Sequence, residues 1–152
     1  MRRDELNLNE RNGVRLSPNI FTLVNISNLD AVVERLHLYS SDRKLLHQHQ
    51  AIQFMLADMK TKIEASRALT WKTAWEADNG VRNTESAAHA KRFAADTAME
   101  VTTDAVQVYG GYGYSEEYPV ARLMRAAKVM QIYEGSSQVQ RMIIGREITR
   151  EL

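Results

Sequence analysis

From Leu29 onward apolar residues return every three or four positions, the period of helices that each bury one face. Leu29, Val33, Leu36 and Tyr39 predict a first amphipathic helix running toward Lys44, with Asn28 or Asp30 placed to cap it. Between Gln50 and Asn79 there is neither glycine nor proline, and Ile52, Met55, Met59, Ile63, Ser66, Thr70, Thr73 and Ala77 share one face. That run predicts the longest helix, ~45 Å at ~1.5 Å per residue. Asn79-Gly80 supplies a left-handed stop, and Thr84 followed by Glu85 offers a cap with an acid in the first turn of the next helix. Its inward stripe, Ala87, Ala90, Ala94, Ala98, Val101, Ala105 and Val108, is small enough for a neighbour to approach closely, and Gly110-Gly111 ends it. Pro119 suits the first turn of a shorter helix carrying Val120, Leu123, Met124 and Ala127. Ser137 with Gln140 has capping-box spacing at the start of a last helix whose apolar face is Val139, Met142 and Ile143.

The fold expected is all-α, an up-and-down helical bundle over residues 29–152, preceded by an irregular lead-in over 1–28 that is rich in asparagine and holds Gly13 and Pro18. At 152 residues and 44% hydrophobic content the chain supports one core. With 20 Lys plus Arg against 19 Asp plus Glu there is no basic field to draw nucleic acid. The absence of cysteine excludes disulfides, thiolate metal sites and a cysteine nucleophile, and fits a cytoplasmic or mitochondrial-matrix setting. No apolar stretch approaches the ~20 residues of a membrane span, and Asp4, Glu5 and Glu10 argue against a leader peptide.

Candidate chemistry gathers in two glycine-rich turns. Gly110-Gly111-Tyr112-Gly113-Tyr114 closes a helix, so it is no dinucleotide fingerprint, which follows a strand and opens a helix. Glu134-Gly135-Ser136-Ser137 opens one, where amide donors and serine hydroxyls suit a phosphate or the polar edge of a cofactor, although capping explains it as well. Glu134 is by the same token either an electrostatic cap or a base that burial under a substrate would strengthen. His37, His47, His49 and His89 lack metal-ligand spacing, so no metal is expected. Lys60, Lys62, Lys72, Arg82, Lys91 and Arg92 read as solvated helix faces, and Trp71 with Trp75 as a core patch in preference to a subunit contact.

The run from Thr103 through Tyr114, then Glu117-Tyr118-Pro119-Val120 and Arg122-Leu123-Met124-Arg125, closely resembles the acyl-CoA dehydrogenase family. So do Gln131-Ile132-Tyr133-Glu134-Gly135-Ser136-Ser137-Gln138-Val139-Gln140-Arg141, which resembles the family's active-site segment, and Gln50 through Met59, which resembles its long helix. The resemblance covers roughly Leu29 to Leu152. It implies that Glu134 removes the α-proton of an acyl-CoA thioester while a hydride leaves the β-carbon for FAD, giving a trans-2-enoyl-CoA. It implies too that Tyr133 lines the acyl pocket, that Gly135 lets the backbone pass close to substrate, and that Ser136, Ser137 and Gln138 contact FAD. Gln107 and Gly111 match positions that touch the FAD of a neighbouring subunit, which implies a homo-oligomer, and electron-transfer flavoprotein is the implied partner.

Two departures qualify the resemblance. The family's Arg-x-x-Phe-Gly turn has lost its Phe-Gly here, which leaves Arg43 as the position matching an arginine that reaches a FAD phosphate. The family's N-terminal helical domain and middle β-domain do not fit in the residues before Leu29. The expectation is therefore a C-terminal domain or truncated form of the oxidoreductase, whose isolated activity is open. The alternative is a noncatalytic helical oligomerisation or interaction module derived from the same family.

Overall fold

A computed structural model describes Val32 and residues 44–150. Of the first expected helix only Val32 and its end point Lys44 fall within this range; Val32 is helical and fully buried, and Lys44 is not helical. The lead-in, the rest of that helix and Arg43 lie outside the described residues.

A 3₁₀ turn at Leu46–Gln48 leads into α1 (Gln50–Asp78), followed by α2 (Thr84–Tyr109), a one-turn α3 (Gly111–Tyr114), α4 (Pro119–Met130) and α5 (Ser137–Ile148), with no strand among the described residues. The all-α reading holds. The glycine-rich turn read as a plain helix stop contains α3, one further helical turn.

The stop after α1 is the expected one. Gly80 has φ +67°, its N–H donates to Ala77 O at 3.2 Å, and the Val81 N–H donates to Glu76 O at 2.9 Å. These two bonds close a Schellman motif and fold α2 back along α1. The cap of α2 falls one residue before the expected Thr84, at Asn83, whose side-chain amide reaches across to Thr73 O at 3.3 Å. It thus ties the hairpin instead of capping the helix.

The central element is α2. Helices α1, α4 and α5 all pack on it and scarcely on one another. Its expected stripe is buried except for half-buried Ala87, and Ala88, Ala95, Thr97, Thr102 and Tyr109 extend the buried surface round the helix. One cluster joins Val101, Ala105, Val108 and Tyr109 of α2 to Met59 and Ile63 of α1, Val120 of α4, and Val32. A smaller one joins Ala94 and Ala95 to Met130 at the end of α4, with Tyr133 packed against it. Helix α4 therefore starts at the C-terminal end of α2 and finishes near its middle. Helix α5 continues the same way, since Arg82, just before α2, binds Glu147 through both carboxylate oxygens at 2.7 and 2.9 Å. The two short helices form one layer antiparallel to α2, broken at residues 131–136.

Polar groups within these contacts are satisfied locally. The hydroxyls of Ser66, Thr73 and Thr102, all buried, donate to carbonyls four residues back at 2.8–3.0 Å. Lys62 of α1 pairs with Glu100 of α2.

Two apolar expectations fail for reasons of helical phase. Trp71 and Trp75 are each 61% exposed, because the buried stripe of α1 runs through Met59, Ile63, Ser66 and Thr73 and leaves both indoles on the outer side. On α5 the buried face is Ser137, Gln140 and Ile144, while Val139 and Met142 point outward and Ile143 is half-buried. Hydrogen bonds from Ser137 and Gln140 set that rotation, against the apolar pattern.

Among the described glycines, Gly113 leaves the least room for a side chain. A Cβ there would collide with the Val106 carbonyl oxygen and stand 2.8 Å from Tyr109 Cβ. Gly113→Ala is expected to lose about 1–3 kcal/mol of unfolding free energy in urea titrations. Gly111→Ala, where a Cβ meets nothing within 4 Å, should stay close to the parent.

Candidate active site

The break between α4 and α5 is shaped by its ends. After Met130 the chain makes a tight turn, with Ile132 N–H on Val129 O at 2.9 Å and Tyr133 N–H on the same oxygen at 3.0 Å. Glu134 and Gly135 are then both left-handed, at φ +51° and +87°. Glu134 is the one non-glycine residue with positive φ among the described residues, a conformation that costs an L residue about 1–2 kcal/mol. The loop closes when the Ser137 N–H donates to Gln131 O at 3.0 Å.

The strain is held by side chains from two helices. Gln140 of α5 is buried and its amide donates to the carbonyls of Glu134, at 3.4 Å, and Gly135, at 3.2 Å. The left-handed φ favours glycine at 135, and a Cβ there would stand 2.5 Å from that amide nitrogen and displace it from the loop carbonyls. From α2, Asp96 Oδ1 accepts from Gln131 Nε2 at 2.8 Å and from Ser137 Oγ at 2.9 Å.

The helix cap falls one residue earlier than the sequence spacing indicated. Ser136, not Ser137, accepts from the Val139 N–H, at 3.4 Å. Ser137 is freed to bind Asp96, and Gln140 holds the loop instead of completing a capping box.

Beneath the loop lies Lys91, expected on a solvated face and found 6% exposed. Its ammonium donates to Met130 O at the end of α4 and sits 5.5 Å from the centroid of the Tyr133 ring. Burial pushes the Lys91 amine down from its ordinary range, and the negative charges of Glu134 and Asp96 oppose that shift. Burial likewise raises the Tyr133 phenol, and Glu134 adds to the effect.

The glutamate itself is exposed, with Tyr133 half-buried below it and Gly135 half-buried beside it. Tyr133, Glu134, Gly135 and Ser136 thus lead directly into Ser137 and Gln138 in the first turn of α5, with the Gln138 side chain exposed and Ser137 buried. Arrayed together, they present a carboxylate and polar donors beside a helix N-terminus. This is a setting for proton abstraction next to a bound polar group.

Residues 21–149 match the family model described as acyl-CoA dehydrogenase, C-terminal domain. The chain belongs to the acyl-CoA dehydrogenase family. It is 51% identical over 117 residues to cyclohexane-1-carbonyl-CoA dehydrogenase of Geobacter metallireducens, a match covering 74% of this chain and 31% of that protein. It is 55% identical over 116 residues to the short-chain specific acyl-CoA dehydrogenase of Megasphaera elsdenii, covering 74% of this chain and 30% of the relative. The solved butyryl-CoA dehydrogenase of Megasphaera elsdenii superposes with a TM-score of 0.81 at 49% identity, over 84% of this chain and 33% of that one. The chain spans about a third of the length of these acyl-CoA dehydrogenases.

Within this family member the other expected cofactor residues sit elsewhere. Gln107 is exposed in the last turn of α2 and Gly111 is exposed at the start of α3. Gln107 lies eleven residues beyond Asp96, about 16 Å along the helix axis at ~1.5 Å per residue. The chain does not bring these two positions together with Ser136, Ser137 and Gln138.

Sequence reasoning missed Asp96, Gln131 and Lys91 and gave Gln140 a different task. One signal was available, since Lys91 lies four residues after Ala87 and three before Ala94, on the inward stripe itself. Nothing comparable marks Asp96.

The depressed Lys91 amine has a pH consequence. Between its lowered folded value and the ordinary 10.5, the unfolded chain binds more protons at this residue than the folded chain, so its contribution to stability rises with pH. Urea unfolding followed as pH rises toward 10.5 is expected to show that rise flattened in Lys91→Met. Parallel curves for parent and variant would contradict the burial of a charged Lys91.

Proposed function

We propose that this chain, over residues 29–152, supplies the helical C-terminal domain of an FAD-dependent acyl-CoA dehydrogenase, with Glu134 as the base. The observation that carries the reading is the exposed, left-handed Glu134, locked ahead of a helix N-terminus by Gln140 and by the loop's tie to α2. The names of the relatives support an acyl-CoA substrate.

Glu134 takes the α-proton of the thioester, and the Glu134 backbone N–H holds the thioester oxygen as negative charge develops there. The polar edge at Ser136, Ser137 and Gln138 fits a neutral hydrogen-bonding face of FAD, although the Ser137 proton is already committed to Asp96. FAD, when bound, supplies the acceptor for the β-hydride. Tyr133 forms one wall of the acyl site, and Gly135 leaves the backbone open to the substrate.

By resemblance to the family, Gln107 at the end of α2 and Gly111 at the start of α3 serve the FAD of a neighbouring copy, and the working form is a homo-oligomer. Arg43 reaches a FAD phosphate, and electron-transfer flavoprotein takes the electrons onward. Among the described residues no helix is long and apolar enough to cross a membrane.

A second reading, a noncatalytic helical interaction module, is favoured by the outward Trp71 and Trp75. Anaerobic flavin bleaching separates the two. With FAD titrated in, acyl-CoA is expected to bleach the visible flavin band, and Glu134→Gln to slow the bleaching about 10²–10⁴-fold without changing the helical circular dichroism. Parent-like bleaching in the variant overturns the role of Glu134. No flavin uptake at all leaves the interaction module.

A further inference from the structure

Resting on Glu134 as the base, we infer that Asp96 is its positioning residue: one carboxylate oxygen of the central helix ties both feet of the Gln131–Ser137 loop and so fixes where Glu134 stands. Oδ1 receives Gln131 Nε2 at 2.8 Å and Ser137 Oγ at 2.9 Å. Those two residues are joined to each other by the Ser137 N–H on Gln131 O at 3.0 Å. The feet are thus closed on themselves and anchored at a single point of α2. The excursion between them can neither slide along α2 nor lift from it without breaking the two hydrogen bonds to that one oxygen.

The rest of the loop needs such an anchor. Glu134 adopts a backbone conformation that an unconstrained L residue leaves, and the bond from Gln140 holds its carbonyl from the α5 side only. The Asp96 carboxylate divides its work between its two oxygens. Oδ2 faces Arg92 Nε and an Arg141 guanidinium nitrogen, each at 3.7 Å, so the ion pairs lie on one oxygen and the loop on the other. Arg92 Nε has no hydrogen-bond partner, which leaves Oδ2 a loose electrostatic contact. Positioning therefore runs through acceptor geometry at Oδ1 and not through charge.

That division makes the test selective, because asparagine keeps an acceptor oxygen for Gln131 and Ser137 but discards the charge. Hydrogen exchange and amide NMR shifts on the whole chain read the loop directly. In Asp96→Ala the Ser137 amide is expected to exchange about tenfold faster or more, with the Glu134 and Gly135 shifts moving toward unstructured values and α1 amides unchanged. Asp96→Asn is expected to restore both readouts to within about threefold of the parent. Gln131→Met and Ser137→Ala each cut one foot and should loosen the same amides to a lesser degree, which keeps the test decisive if Asp96→Ala fails to fold.

In flavin-loaded protein, Asp96→Ala is expected to lower the saturating rate of flavin reduction about 10–100-fold with KM little changed, and Asp96→Asn to recover most of it. An undisturbed loop in Asp96→Ala overturns the inference, as does Asp96→Asn behaving like Asp96→Ala, or a loosened loop with an unchanged rate. If the parent never reduces flavin, the dehydrogenase reading fails by itself, and the exchange data still decide whether Asp96 anchors the loop.

Discussion

The domain depends on how little side chain its central helix carries. Ala94, Ala95, Ala98 and Ala105 are buried on α2, and they let α1, α4 and α5 all come close to one rod. Close approach brings polar side chains of α2 within reach of the elements that face it. Asp96 can then span from α2 to the start of α5, and Lys91 can reach the last carbonyl of α4. With bulkier residues in the stripe, the same polar groups would face a gap, and buried polar groups without partners are costly.

The break between α4 and α5 follows from the same arrangement. The two helices lie on one line along α2, and between them the chain must leave the helical path and return within a few residues. It does so through two left-handed residues, which an apolar contact alone would not specify. Hydrogen bonds specify it instead, from Gln140 above and Asp96 below. The buried Lys91 supplies positive charge where a helix C-terminus and two carboxylates gather, and desolvation works against its charged state. These buried polar groups fix the geometry of the loop, which is what the role proposed for Glu134 requires.

Much of this was legible in the pattern of residues. The long helix, the Asn79-Gly80 stop, the alanine stripe and Pro119 at the head of α4 follow from local rules of period and turn chemistry, and each appears where those rules put it. The loop at Glu134 was also visible as a break, because Glu-Gly-Ser-Ser interrupts the helical period ahead of the last helix, although its spacing fitted a plain cap as well. What escaped was non-local. The rotation of α5 is set by Ser137 and Gln140 bonding to partners in α2 and the loop, so the apolar rule chose Val139 and Met142 and missed Gln140. Trp71 and Trp75 failed the same way, since size and apolarity suggested burial while the phase of α1 turned them out. The stripe spacing hinted that Lys91 faces inward but not which carbonyl it meets, and an aspartate bridging two feet of a loop depends on distances across the chain that no local spacing encodes.

An alanine-lined helix holds the loop in place by close approach, and Ala95 is the residue at which this is tested. It is fully buried and packs with Met130 and Tyr133, under the loop. Urea unfolding of Ala95→Leu, followed by circular dichroism, is the measurement. The account predicts a loss of about 1–3 kcal/mol or more, because the added side chain must push α4 and the loop away from α2. An Ala95→Leu protein that unfolds at the parent's urea concentration would contradict it.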